Sequence, residues 1–334
     1  MVGASNRPSI TGVSTPDAAL PGRWWELRKA VAAKMTDAGP DVVASHFALY
    51  AFPVLDLLGD RPLVVHFHGP WAEESAVEGS PAATVRLKAL IERTVYRRAA
   101  RCIVLSSAFR DVLHRTYGVP LYRIRIVPGG VDVDRFATGL TRAEARRHLG
   151  WAVDRPTVLS VRRLAPRMGL EALVEAAALV VQEHPELQVR IAGKGPLRAK
   201  LQQQIAAAGL NAHVRLVGFV PDEDLPVAYR AADVSIVPTQ ALEGFGLITL
   251  ESLAAGTPVL VTPVGGLPET VRDLDPALML RDTSVEAIAD GLRAVLTGRF
   301  AQLSGEPCQA YVRERFAWPV IAEQVAAVYR EVTG

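Results

Sequence analysis

Residues 234–256 read VSIVPTQALEGFGLITLESLAAG, and this stretch decides the fold. VSIVPT is a short apolar, β-branched run of the kind buried on both faces as a strand of a parallel sheet. The segment after Gly246 reads as a helix running through SLAAG. Between strand and helix stand Glu243, Gly244, Phe245 and Gly246. Two glycines at a helix start let backbone N–H groups come close to an anion, and the helix dipole favours a diphosphate there. Glu243 falls in the loop and Glu251 in the first turns of the helix, so a carboxylate at each end of the turn can accept hydrogen bonds from ligand hydroxyls. Acidic residues that merely complement a helix dipole would look the same, and the surrounding sequence has to separate the two readings.

Working outward, the same alternation recurs. TVLSVRRL (157–164), LQVRIAG (187–193), VRLVGFV (214–220) and PVLVTP (258–263) are strand-like runs separated by helix-length segments or short loops. They predict one parallel α/β sheet after about Trp151. DVVASHF (41–47), PLVVHFHG (62–69) and RCIVLSS (101–107) predict a second sheet before it. The connection between the two is expected in Pro128–Arg155, which holds PGGVDVDRF and a short Arg/Ala helix. The expected division is 1–140, 150–310 and a terminal helix, 311–334, free to pack on either domain, the first included. The first strand falls only near Asp41, after some forty residues with one convincing helix, around Trp25–Met35. A doubly wound domain ordinarily opens with a strand, so the first half reads as short.

Composition narrows the classes. The chain has 334 residues, 49% of them hydrophobic, enough to bury two cores. With 37 Lys and Arg against 35 Asp and Glu the formal charge is +2, too small a field to mark nucleic acid as the partner. Cys102 and Cys308 are far apart and fit neither a disulfide framework nor a zinc site, which suits a reducing cytoplasm. No apolar run reaches membrane-spanning length, and MVGASNRPSITG lacks the apolar core of a signal peptide. The charge is uneven, however. Arg86, Lys88, Arg93, Arg97, Arg98, Arg101, Arg110, Arg115, Arg123 and Arg125 face only Glu92 and Asp111 within 86–125. A solvated helix face explains this, and so does attraction to anionic headgroups.

Glu243 and Glu251, with seven residues between them, resemble the donor signature of the retaining glycosyltransferases of GT-B fold, family 4. The resemblance runs from about Asp41 to the C-terminus and is carried by further motifs in order. Pro128-Gly-Gly-Val-Asp132 is similar to the interdomain turn, Arg163-Leu164 to the phosphate-binding Arg, and Gly193-Lys-Gly-Pro196 to the glycine loop. Gly218-Phe-Val220 and Gly265-Gly-Leu-Pro-Glu269 match the base-binding and late-loop positions. The implied fold is α/β of GT-B type, two Rossmann-like parallel-sheet domains facing a cleft, the N-terminal one incomplete for want of the usual first strand and glycine loop.

The resemblance implies that Glu251 binds the donor ribose and Glu243 the sugar hydroxyls. Gly195, Val220, Gly244, Phe245, Gly246 and Leu247 complete the donor site. Arg163 neutralises the departing diphosphate, where leaving-group charge develops. The family's Lys before a Gly is replaced by Met168 before Gly169, so Arg167 is expected to supply the second cation. His68, at the end of a strand, matches the active-site histidine; His66 is expected to pack or to support His68 from behind. Gly69, Trp71 and Glu74 are expected on the acceptor side. Asp132-Val-Asp134 looks like a metal-binding Asp-x-Asp but lies in the interdomain turn, and no metal is expected. Asp222 and Asp224 are expected to cap the helix after Pro221.

The activity implied by the resemblance is that of a retaining hexosyltransferase using a nucleotide diphosphate sugar as co-substrate. Its acceptor is a glycan or lipid-linked, and its place the cytoplasm or the inner membrane face, reached through the basic 86–125 region. The alternatives are a non-catalytic or partner-dependent nucleotide-sugar-binding protein, whose exposed edge an oligomer would cover, and, further off, a sugar-nucleotide epimerase.

Overall fold

The computed structural model describes residues 12, 13, 15, 17–36, 39–77 and 79–334. Much of the first forty residues, including the polar start MVGASNRPSI, lies outside the described residues. The chain forms two compact units. The first comprises the described part of Met1–Val104 with Arg110–Arg125 and Ala327–Gly334, the second Leu105–Phe109 with Ile126–Ala326.

The first unit carries a four-stranded sheet in the order β1 (Val43–Ser45), β2 (Leu63–Phe67), β3 (Arg101–Val104), β4 (Ile124–Ile126). β2 runs parallel to both neighbours, with Val43 opposite Leu63 and Val64 opposite Arg101. Four of the five residues of β2 are fully buried, which is why its sequence reads as a continuous apolar run and not as an alternation. Behind it, Phe67, Tyr96 and Tyr117 meet edge to face with centroids 5.1–6.1 Å apart, the arrangement the ring quadrupoles favour.

The second unit holds a five-stranded parallel sheet in the order β7 (Val214–Gly218), β6 (Gln188–Ala192), β5 (Thr157–Val161), β8 (Val234–Val237), β9 (Val259–Val261). From β5 the chain winds outward through β6 and β7, then returns to the other side of β5 for β8 and β9. Strand order therefore reverses between β5 and β8, and the loops leaving their carboxyl ends diverge, the place where open α/β sheets leave a crevice for ligands. The helices Leu170–Val181 and Val285–Leu296 cover the sheet with apolar faces that are almost wholly buried. Among the described residues no helix is long and apolar enough to cross a membrane.

Candidate functional site

In the second unit the divergent loops after β5 and β8 bring together most of the residues the sequence singled out. Arg162 and Arg163 leave the end of β5, and Thr239 to Glu243 leave the end of β8. Arg162, which carries no family signal in the sequence, takes the inward position. Its Nη2 donates to Glu243 Oε2 and to Thr239 Oγ1, both at 2.6 Å. The Arg162 and Glu243 side chains are only 8% and 15% exposed. Arg163 is exposed at the rim.

Both arginines, with Met168, Gly193, Lys194, Phe219, Val220 and Ile248, line a cavity of about 400 Å³ at the carboxyl end of the sheet. Gly193 has φ +140, and a Cβ there would overlap the carbonyl oxygen of Arg162, so only glycine lets this loop lie against the strand end. Lys194 Nζ stands 4.6 Å from the centroid of the exposed Phe219 ring. Met168 is buried and lines the same cavity. Arg167 is not part of that lining; its guanidinium donates to the carbonyl of Leu242.

That carbonyl belongs to a strained residue. Leu242 has φ +55 and is the positive-φ residue other than glycine among the described residues, a conformation with a steric cost for a side chain bearing Cβ. The Glu243 backbone is fixed from the other side as well. Its carbonyl accepts from the Gly266 amide at 3.1 Å, and Gly265, at φ +57, lies so close that a Cβ would overlap the same oxygen. Glu269 of the same segment accepts from the Ser107 amide at 2.9 Å and the Ser107 hydroxyl at 2.6 Å.

The helix Leu247–Ala254 starts at Gly246, which is left-handed at φ +84. Phe245 is buried and Gly244 partly so, while Leu247 is exposed. One turn in, Glu251 accepts from the Tyr229 hydroxyl at 3.0 Å. Burial raises the Glu251 carboxyl above its usual range, although the Tyr229 bond and the charge of Arg135 oppose the rise. The Tyr229 hydroxyl is fully buried, and desolvation together with Glu251 pushes it well up. Tyr229 carries no signal in the sequence, because it comes from the preceding helix, Leu225–Ala231. Asp224 stands at the N-cap of that helix but makes no side-chain cap bond. Instead it stands 3.5 Å from His148 Nε2, and Asp222 pairs with Arg135 at 3.6 Å, so the expected capping is not found. Asp132 caps the turn Val133–Phe136, accepting from the Arg135 amide. Gly195 follows Lys194 and packs on Leu164, where a Cβ would overlap the carbonyl.

In the first unit the ends of β1 and β2 place three histidines in one stack. The His46 ring lies 4.2 Å from that of His66 and 5.3 Å from that of His68, nearly parallel to both. His66 Nε2 pairs with the Tyr329 hydroxyl at 2.8 Å. Burial, with His46 and His68 adding to it, pushes the His66 imidazole down to about 4. Burial and His46 also lower His68. His46, Phe47, His66, His68, Gly69, Trp71, Glu74 and Tyr96 line a cavity of about 270 Å³.

The loop after His68 is held by Glu92. This carboxylate is 0% exposed and accepts from the Trp71 and Ala72 amides at 2.9 and 3.0 Å and from the hydroxyls of Tyr117 and Tyr96 at 2.9 and 3.1 Å. Burial raises its carboxyl, and those four donors pull against the rise. In the sequence Glu92 is merely one of two acids in a basic stretch; three of its four donors lie 20 to 25 positions away. The stretch itself is largely engaged. Arg101 and Arg125 share Glu331, Arg98 donates to the carbonyls of Gly59 and Arg61, Arg93 to that of Thr116, and Lys88 sits on the Trp71 ring. Among the described residues no group of three or more His, Cys, Asp or Glu is placed to hold a metal ion.

Residues 141–313 match the family model of the glycosyl transferases group 1, and residues 4–135 that of glycosyltransferase family 4. The D-inositol 3-phosphate glycosyltransferase of Geodermatophilus obscurus is 34% identical over 304 residues, 86% of this chain and 66% of that protein. A GDP-mannose-dependent alpha-(1-6)-phosphatidylinositol monomannoside mannosyltransferase of Mycobacterium tuberculosis is 31% identical over 68% of this chain and 60% of its own length. The chain thus spans 59–66% of the length of the first curated relatives it matches. Among solved structures, a sucrose-phosphate synthase from Thermosynechococcus elongatus shares the fold with a TM-score of 0.76 and 27% identity, over 95% of this chain and 80% of that one. Anabaena HepE, solved with UDP and glucose, gives 0.76 at 21% identity over 92% and 81%. The fold class expected from the sequence, α/β with two Rossmann-like parallel-sheet units of GT-B type, is the one found. With its second sheet matched across 141–313 and its first across 4–135, the chain belongs to the glycosyl transferases group 1 family.

Proposed function

We propose that this chain transfers a hexose from a nucleotide diphosphate sugar to a glycan or lipid-linked acceptor, with retention of anomeric configuration. The observation that carries the reading is the gathering of cations, glycine loops and two carboxylates at the point where strand order reverses. Arg163 and Lys194 line the cavity, and Glu243 and Glu251 stand on the loop and helix beside it.

Departure of the nucleotide builds negative charge on the diphosphate. Arg163 and the amides of Gly244, Phe245, Gly246 and Leu247 at a helix start are the groups suited to stabilise it. Glu243 accepts from hydroxyls of the sugar, and Glu251, kept in place by Tyr229, from the ribose. Gly195 and Val220 contact the nucleotide. Arg167 supplies the second cation that Met168 does not, and its bond to the Leu242 carbonyl holds the Glu243 loop. Same-face attack assisted by the leaving phosphate is the mechanism that the family resemblance implies. His68 serves the reacting sugar, and Gly69, Trp71 and Glu74 the acceptor. No resident metal is required in this scheme.

The domain division that goes with it is 1–140, 150–310 and a terminal helix. The protein works in the cytoplasm at the inner membrane face, where Leu87 and Leu90, 59% and 60% exposed beside Arg86, support a peripheral contact. The test is nucleotide release and transfer with UDP-glucose, GDP-mannose and ADP-glucose, read beside ligand-induced thermal stabilisation of the same sample. Stabilisation with release establishes the activity. Stabilisation without release, after acceptor extracts have been supplied, makes the chain a binder.

A further inference from the structure

The bond from Arg162 to Glu243 is the strongest feature to which the proposed reaction gives no part, and its inference rests on that reading. Three facts define it. Arg162 is fixed by its backbone: its amide donates to Ala192 O at 2.9 Å, and its carbonyl is pressed against Gly193. Its guanidinium is fixed by Thr239, itself fully buried, whose own carbonyl accepts from Thr262 Oγ1 at 2.6 Å. Glu243 is fixed by Gly266 behind it and by Arg162 in front.

The result is a carboxylate with one oxygen committed. Oε2 is taken by Arg162, so Oε1 is the oxygen available to a ligand. A Glu side chain without a partner sweeps several rotamers and can follow a hydroxyl to either of two orientations. Locked by a buried guanidinium, it accepts along one direction only. A site built around one directed hydrogen bond discriminates strongly against a ligand lacking a hydroxyl there, since the buried acceptor is then left unpaired.

We propose that Arg162 is a positioning residue that makes Glu243 selective for the orientation of one hydroxyl on the donor's sugar. Arg162 does so through Glu243 and leaves nucleotide affinity to other groups.

The test compares pairs of donors that differ at one hydroxyl, UDP-glucose with UDP-galactose and GDP-mannose with GDP-glucose, and includes free UDP and GDP. Affinities are measured by calorimetry for the wild type, R162K, R162Q, E243Q and R162Q/E243Q. R162K keeps a buried cation but replaces the rigid planar group whose Nη2 bridges Thr239 and Glu243 with an ammonium on a flexible stem, so it carries the test if R162Q does not fold. The expected result is unchanged affinity for free nucleotide in R162K and R162Q, with discrimination between epimers reduced about tenfold or more. E243Q should show the same loss, and R162Q should add nothing to it, because both changes remove one element. Epimer discrimination equal to wild type in folded R162K, or an effect of R162Q that persists in the E243Q background, overturns the proposal. A wild type that binds free nucleotide but gains nothing from any attached sugar also overturns it and leaves nucleotide binding intact; one that binds neither defeats the donor reading as well.

Discussion

Nδ1 of His46 lies 3.0 Å from Nε2 of His68, so one of the two rings must donate and the other accept. His46 follows β1 and His68 follows β2, and parallel pairing of Ser45 with Val65 brings the strand ends side by side. The contact ties the histidine that the sequence marked for the active site to one it did not mark, and joins both to the stacked His66.

This stack makes the fold sensitive to acid. A histidine whose folded pKa lies below its usual 6.5 binds fewer protons folded than unfolded, so its contribution is complete above 6.5 and is lost as pH falls toward the folded value. For His66 that window runs from 6.5 down to about 4, and solvent screening of this part-buried ring leaves about 2 kcal/mol at stake. Urea unfolding at pH 7 and at pH 4.5 should show this loss in the wild type and a smaller one in H66Q. Equal losses would mean that other groups set the acid limb.

Glu92→Ala removes the acceptor of two amides and two tyrosine hydroxyls at once. Each buried donor left unpaired is costly, and the expected loss is about 3 kcal/mol or more. Calorimetric melting would detect it. A loss below about 1 kcal/mol would show that water replaces the carboxylate.

Gly265→Ala places a Cβ on the Glu243 carbonyl at a positive φ. Since the obstacle is backbone and not a flexible side chain, the loop must move. We expect destabilisation of about 2 kcal/mol or more together with loss of the thermal shift given by a sugar nucleotide. Retention of the full thermal shift would show that the loop tolerates displacement without harm to the site.

The proposed roles separate in binding and turnover. Glu251→Ala should weaken donor binding by about 1–3 kcal/mol, the range for a charged hydrogen bond, while His68→Ala should leave donor affinity unchanged and lower kcat. Calorimetric titration beside steady-state rates distinguishes them. Equal binding loss in both variants would sink this division of labour.

Much of the fold is legible along the chain because its signals are local. The apolar runs at 63–67, 157–161 and 234–237 appear as β2, β5 and β8, since a strand covered on both faces has to be apolar throughout. The Gly-Phe-Gly turn at 244–246 announces a strand-to-helix junction through the conformational freedom of glycine, and Gly246 is left-handed as that turn requires. The family signature rests on the same short segments.

The tertiary structure decided what depends on direction and on distant partners. In Val161-Arg162-Arg163 the sequence offers two adjacent arginines; which one turns inward is set by Thr239 and Glu243, 77 and 81 residues away. Glu92 reads as a stray acid until folding surrounds it with donors from three segments, and His46 as an ordinary loop residue until β1 pairs with β2. Sequence patterns carry periodicity and backbone freedom, which each segment possesses alone. Orientation, burial and the charge environment of a side chain belong to the packed whole, because desolvation and hydrogen-bond geometry arise only when residues remote in the chain are brought within a few ångströms.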